Sequence, residues 1–245
     1  MRRSSCAWRA SSSAARSAAE GVLALLFPPR CLVCDGPAEG LGPLCRTCEE
    51  GLLPLGGERC VQCEEPLGDP WLDLCRPCGT RDRGFDLARS LGPYESGWGT
   101  LVRSLKFERE RLVARFLADR LAAHLAEKDP FGPLDVITPV PMARADQRRR
   151  GFNQAALLAR GVGRGLGLPV EPLLVKVRQT PPQAELPAMA RRENLRGAFR
   201  PIRSGAGRVL LVDDIYTTGS TVEACARALK SGGWERVFVL TVARA

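Results

Sequence analysis

Residues 209–221 read Val-Leu-Leu-Val-Asp-Asp-Ile-Tyr-Thr-Thr-Gly-Ser-Thr, and this stretch decides the fold. Val209 to Val212 form an unbroken apolar β run, suited to a central strand covered on both faces. The run ends in Asp213 and Asp214, two carboxylates where an open α/β sheet keeps its ligand crevice. Thr217-Thr218-Gly219-Ser220-Thr221 comes next, then helical sequence. Small hydroxyl residues around a glycine let backbone N–H groups turn inward, and a helix N-terminus adds its positive end. The result is an anion cup of phosphate size. The two acids cannot share that anion; they suit hydroxyls or a magnesium-bound sugar. An acid pair and a phosphate cup on one short loop describe a ribose 5-phosphate.

The flanks carry the matching texture. Strands are expected at 85–94, 135–141, 173–177, 208–212 and 237–242, and helical sequence at 101–107, about 110–128, 153–166 and 220–230. Strands alternating with helices indicate an α/β fold with a mostly parallel sheet. The polar, proline-bearing segment 179–200 suits a mobile loop with a short helix. Gly161, Gly163, Gly165 and Gly167 superficially resemble a dinucleotide fingerprint, but they lie at a helix end rather than between strand and helix, so the context is wrong. His124 is the only histidine and reads as a surface or packing residue.

Upstream, eight of the ten cysteines form four Cys-x-x-Cys pairs: Cys31/Cys34, Cys45/Cys48, Cys60/Cys63 and Cys75/Cys78. Each pair can turn as a knuckle with both thiolates on one metal, and two knuckles complete a closed tetrahedral zinc site. Four pairs therefore supply two structural zinc ions. The simplest pairing is sequential, and a cross-braced pairing of first with third and second with fourth fits the spacing too. A disulfide framework would need an oxidising compartment, for which nothing here signals export. Iron–sulfur ligation more often uses tighter, asymmetric spacing. Segment 31–80 has few apolar residues, so metal binding supplies most of its folding free energy. Cys6 and Cys225 stand apart, as a leader residue and a small helix-face residue.

Charge separates the two parts. Residues 1–80 carry a net −2 and residues 81–245 a net +11, which together give the chain's +9. Within 31–80, three arginines face nine acids, a surface that repels phosphate backbones. The cysteine-rich part thus reads as a docking platform for a partner or for the rest of the chain. The Arg144, Arg148, Arg149 and Arg150 run either neutralises a polyanion or forms a solvated basic face. Residues 1–19, rich in Ser, Ala and Arg, fit a transit peptide, a disordered leader or a start codon set too far upstream equally well. The apolar run Val22 to Phe27 stops at Pro28-Pro29 and is far short of the roughly 20 residues a bilayer needs. A cytoplasmic protein is expected, with no membrane segment.

The 209–221 stretch is similar to the phosphoribosyl pyrophosphate (PRPP) signature of type I phosphoribosyltransferases, an apolar strand followed by an acid pair and a Thr-Gly-rich loop. That resemblance implies roles residue by residue. Asp213 and Asp214 would hold the ribose 2′- and 3′-hydroxyls as the catalytic pair, with Mg2+ accompanying PRPP. Thr217, Thr218, Gly219, Ser220 and Thr221 would enclose the 5′-phosphate. Thr138, Pro139, Val140, Pro141 and Met142 match the strand end and loop that contact pyrophosphate, and 179–196, with Arg191 and Arg192, matches a loop that closes over substrate. In several purine-salvage relatives an Asp stands three positions after the acid pair; here that position is Thr217.

The wider layout resembles a narrower group, the ComF family of competence-related proteins. The resemblance is carried by the Leu-Phe-Pro-Pro-Arg-Cys opening at 26–31, the paired zinc ribbons, Arg-Gly-Phe-Asn-Gln at 150–154 and Arg-x-x-Asn-x-x-Gly-x-Phe at 191–199. It spans about residues 20–245. The expected organisation is a disordered leader (1–19), a helix plus double zinc ribbon (20–80), and a type I phosphoribosyltransferase-like domain (81–245). The implied activity is transfer of phosphoribosyl to an unknown acceptor with release of pyrophosphate. A non-catalytic PRPP- or nucleotide-binding accessory partnering the competence machinery stays open beside it. So does a single-stranded-DNA-handling one, against which the 6% aromatic content weighs, since stacking platforms need rings.

Overall fold

A computed structural model describes residues 29–38, 42–105, 110–178 and 195–245. The leader, the apolar run at 22–27, Cys6, Lys106, Phe107, Arg191 and Arg192 lie outside the described residues. In chain order the elements are α1 (Arg46–Glu50), α2 (Arg76–Thr80), β1 (Leu87–Pro93), α3 (Gly97–Ser104), α4 (Glu110–Lys128), β2 (Val136–Pro139), α5 (Arg144–Arg150), α6 (Gln154–Leu166), β3 (Leu174–Lys176), β4 (Phe199–Pro201), β5 (Arg208–Tyr216), α7 (Ser220–Ser231) and β6 (Arg236–Arg244). Among the described residues no helix is long and apolar enough to cross a membrane.

The main sheet has four strands in the order β1-β6-β5-β2, every neighbour parallel. Because β5 and β6 are central, their side chains alternate between two apolar cores. Leu210, Val212, Phe238, Leu240 and Val242 face α3, α4 and α6, where Leu101, Leu117, Leu121, Leu158 and Val162 close one layer. Val209, Leu211, Val237 and Val239 face the other way, onto Val222, Cys225 and Leu229 of α7. That second layer is completed by something other than a helix: Cys60, Cys63, Cys75 and Cys78 belong to it.

Several expectations shift. The strand expected to stop at Val212 continues to Tyr216, pairing Asp213 with Thr241 and Tyr216 with Arg244 of β6. Backbone pairing continues as long as a neighbour is present, whatever the polarity of the side chains, so the two acids are strand residues. The 173–177 strand does not join the main sheet; β3 pairs antiparallel with β4, which lies inside the segment expected as loop. The basic run at 144–150 is itself helical, as α5. The glycine series has a packing role. A Cβ on Gly161 would come within 2.3 Å of the Ala118 Cβ and one on Gly165 within 2.7 Å of the Ala122 Cβ, so these glycines let α6 lie directly against α4.

Candidate functional site

The two cysteine quartets are the most sharply built features. Cys31, Cys34, Cys45 and Cys48 bring their sulfurs within 4.8 Å of one another, and so do Cys60, Cys63, Cys75 and Cys78. The pairing is therefore sequential, and the cross-braced arrangement is excluded. The Cys34–Cys45 and Cys63–Cys75 sulfur separations are 3.7 and 3.6 Å. A tetrahedral zinc with bonds of about 2.3 Å requires sulfurs about 3.8 Å apart, so both quartets fit the ion. Their ionisation points the same way. The hydrogen bond from Cys78, with help from the Glu65 N–H, brings Cys63 down to about 5 against the cost of burial. Burial and the Cys63 thiolate hold Cys75 up at about 11. In the first quartet backbone N–H groups outweigh desolvation and draw Cys31 down to about 6, while Cys34 and burial push Cys48 up to about 12. One thiolate per quartet forms readily; four require a compensating cation.

The second constellation lies at the carboxyl ends of β2 and β5. A cavity of about 200 Å3 is lined there by Asp213, Asp214, Val140, Pro141, Thr221, Asp146, Arg150, Gln154, Lys176 and Phe199, among others. Four segments far apart in sequence thus meet where an open sheet keeps its crevice. Pro139 ends β2 and is not among the lining residues. Asn153 fixes the wall: its side-chain amide donates to the Val140 carbonyl at 3.0 Å, and its oxygen accepts the Ala155 N–H, capping α6. Gln154 follows, 3% exposed, with its Nε2 buried and unpartnered among the described residues. A buried donor without a protein acceptor is aimed at a ligand oxygen or a water. A larger cavity of about 650 Å3 lies between α7 and residues 195–199. It reaches Ser220 but neither acid, so the smaller cavity is the candidate site.

Its electrostatics are mixed. The half-buried Asp213 is pushed well above the usual carboxylate range by burial, then by Asp214 beside it. Such a pair takes up a proton or a cation, or turns toward hydroxyl donors. Across the cavity, burial pulls the Lys176 ammonium below its usual value while Asp146 opposes the shift. Lys176 and Arg150 supply positive charge for an anionic oxygen, Gln154 an uncharged donor.

Thr217 to Ser220 form the turn from β5 into α7, beside the cavity. Gly219 has φ +74°, and a Cβ there would lie 2.3 Å from the Tyr216 Oη and 2.5 Å from the Arg83 Nη2. It is also the residue preceding α7, so no side chain caps the helix from that position. The Ser220 N–H meets the Thr218 Oγ1 at 3.4 Å, and the next N–H groups of the first turn, which have no partner within a helix, serve an anion. The Thr218 and Ser220 hydroxyls share a hydrogen bond of 2.8 Å, and Thr217 is exposed. Lys176, Asp146 and Gln154 escape a sequence reading because each sits on a separate element. Gln154 left a trace, as a polar residue at the start of an apolar helix face.

Comparison with known proteins adds the following. A double zinc ribbon domain family matches residues 22–79. Competence protein F of Haemophilus influenzae is 31% identical over 232 residues, covering 89% of this chain and 98% of that protein. The DNA utilization protein YhgH of Salmonella typhi is 33% identical over 226 residues, covering 90% and 99%. Among solved structures, the glutamine PRPP amidotransferase of B. subtilis overlays on 54% of this chain and 27% of its own, with 22% identity and a TM-score of 0.36.

Proposed function

The chain belongs to the ComF family of competence proteins, and from that premise we propose that its sheet domain binds PRPP, or a related ribose 5-phosphate, in the cavity between β2 and β5. The observation that carries this reading is the meeting of Asp213, Asp214 and Thr221 with Val140 and Pro141 in one cavity. In this reading Asp213 and Asp214 accept hydrogen bonds from the ribose hydroxyls. Thr217 to Thr221 and the first turn of α7 take the 5′-phosphate. The 140–142 loop, with Lys176, Arg150 and the unpaired Gln154 amide nitrogen, faces the pyrophosphate, and Arg191 and Arg192 would add positive charge to its binding. Mg2+ bound with PRPP would neutralise part of the pyrophosphate charge.

The activity this arrangement suits is phosphoribosyl transfer. An acceptor nitrogen attacks C1′, the C1′–O bond to pyrophosphate breaks, and cationic groups stabilise the departing anion. A specific observation keeps a second reading beside it: Thr217 is exposed and offers no carboxylate to assist an acceptor base. In that reading the protein is a PRPP- or nucleotide-binding accessory of competence that binds without turnover.

Titration calorimetry of the zinc-loaded protein with PRPP and magnesium tests the binding. Asp213→Asn with Asp214→Asn is expected to weaken it at least a hundredfold, the loss of two charged hydrogen-bonding groups costing about 3 kcal/mol. Unchanged affinity in that double variant would remove the site. A pyrophosphate-release assay over nitrogen acceptors then separates the readings: release marks the transferase, and heat of binding without release marks the accessory.

A further inference from the structure

Arg83 lies between the second cysteine quartet and the proposed phosphate turn, and it is 2% exposed. All three of its nitrogens donate. Its Nη1 donates to the Cys78 sulfur at 3.7 Å, and its Nε to a Glu223 carboxylate oxygen at 3.0 Å. Its Nη2 donates to the Tyr216 hydroxyl at 3.0 Å and to the Thr218 carbonyl at 3.2 Å. The guanidinium carbon also stands 5.3 Å from the Phe85 ring centroid. Glu223 is held in turn by Arg81 at 3.0 Å, and its own N–H donates to the Gly219 carbonyl at 2.9 Å. The rear of the 217–220 turn therefore rests on one planar cation, and that cation rests on a metal-ligand sulfur.

We propose that Arg83 is a positioning residue that couples zinc at the second quartet to the shape of the phosphate turn. The metal fixes where the Cys78 sulfur lies, and the sulfur fixes one edge of the guanidinium. The opposite edge fixes the Thr218 carbonyl and, through contact at Gly219, the entry to α7. No shorter or single-headed cation can span Cys78, Glu223 and Thr218 together, because only the planar fork presents donors in three directions. Among the described residues the first quartet has no such connection to the turn; it packs against the opposite core through Cys31 and Leu44, and its side-chain hydrogen bonds to the sheet domain run through Leu53 and Glu49.

This inference rests on the ribose-phosphate reading above. Coupling between two sites is reciprocal, so whatever zinc does for the sugar phosphate, the sugar phosphate does for zinc. The test is zinc competition between the full-length protein and a chromophoric chelator, with and without saturating ribose 5-phosphate; calorimetry on the same samples records whether the sugar phosphate binds. In the wild type, ribose 5-phosphate is expected to tighten one of the two zinc ions about fivefold or more. In Cys34→Ser, which disables the first quartet, the linkage persists on the remaining ion. In Arg83→Lys both ions stay bound but the ratio falls to one, a loss that a merely structural role for Arg83 would not produce. Superimposable wild-type chelation curves in samples that show binding heat would overturn the coupling while leaving the site intact. Absence of any binding heat would remove the site, and this inference with it. Linkage unchanged by Arg83→Lys would show that Arg83 does not carry it.

Discussion

The two zinc ribbons are the same local structure placed in two different environments. Arg30 bridges to Pro37 as Arg59 bridges to Pro66, and Asp35 and Glu64 share a left-handed φ of 59° just after the second cysteine. The Cys31 N–H donates to Gly36 as the Cys60 N–H donates to Glu65, and short helices α1 and α2 follow the third cysteine of each quartet. Yet in the first quartet only Cys31 is buried, Cys34 being exposed and Cys45 and Cys48 half-buried, whereas all four cysteines of the second quartet are buried. The second ribbon does the work of a covering helix on one face of the sheet. The Gln62 side chain donates to the Phe85 carbonyl and the Ala88 N–H to the Gln62 carbonyl, the Ser90 N–H donates to Glu64 at 2.7 Å, and Arg244 donates to the Cys63 carbonyl at 2.6 Å. The first sits at the margin of the opposite core, where Cys31 and Leu44 are buried near Leu91 and Trp98, and its side-chain hydrogen bonds to the domain are the Trp98 indole to the Leu53 carbonyl at 2.9 Å and an Arg120–Glu49 pair. A metal knot thus contributes to the fold according to what surrounds it.

The largest expected difference follows from breaking each quartet. Cys63→Ser should release one zinc and open the apolar layer it shares with Val237 and Val239, so that the sheet domain loses its cooperative melt. Structural zinc is worth about 10 kcal/mol or more to a ribbon, and here the domain draws on it. Cys34→Ser should also release one zinc yet leave the domain's melting within a few degrees of wild type. Metal analysis with calorimetric melting checks both, and equal losses would contradict the contrast in burial.

Sequence made the ribbons legible as chemistry but not as architecture. Cys-x-x-Cys spacing is local, so eight ligands could be named and two ions counted from it. Burial is a tertiary property, and nothing in Cys34 or Cys63 distinguishes exposed from enclosed. The same division runs through the sheet domain. Val209 to Val212 and the turn to Thr221 are contiguous, and their pattern reads directly. Lys176 and Gln154 reach the cavity only because β3 and α6 are folded beside β5, and Arg83 gains meaning only once Cys78 and Thr218 flank it. The overrun of β5 to Tyr216 has a similar cause, since the strand's length is set by β6 beside it.

A middle-sized effect comes from the contacts that dock each ribbon. Arg244 is 4% exposed, stacks 4.4 Å over the Tyr216 ring, holds the Cys63 carbonyl and pairs with Glu65. Its replacement by Met should cost about 2–3 kcal/mol, as expected for buried charged hydrogen bonds. Arg120→Met breaks a pair whose side chains are 45% and 39% exposed and should cost at most about 1 kcal/mol. Denaturant unfolding of the two variants measures the difference, and a reversal would mean that the first ribbon is the tighter dock.

The smallest effect is a change of slope. Glu64 occupies in the second ribbon the place Asp35 holds in the first, but burial raises its pKa above the ordinary 4.5, against the pull of Arg89 and the Ser90 N–H. Between the ordinary and the raised value the folded chain binds more protons than the unfolded one, so stability falls as pH rises through that window. Glu64→Gln keeps an acceptor for the Ser90 N–H and removes the titration. Acid also strips zinc from thiolates, but that loss is common to both proteins and cancels when their unfolding free energies are subtracted at each pH. The variant should therefore gain on wild type as pH is raised from 4.5 through the raised value and then run parallel to it. A difference that stays flat across that interval would mean Glu64 ionises in the docked ribbon as freely as in the unfolded chain. The enclosure that separates the second ribbon from the first would then not extend to this carboxylate.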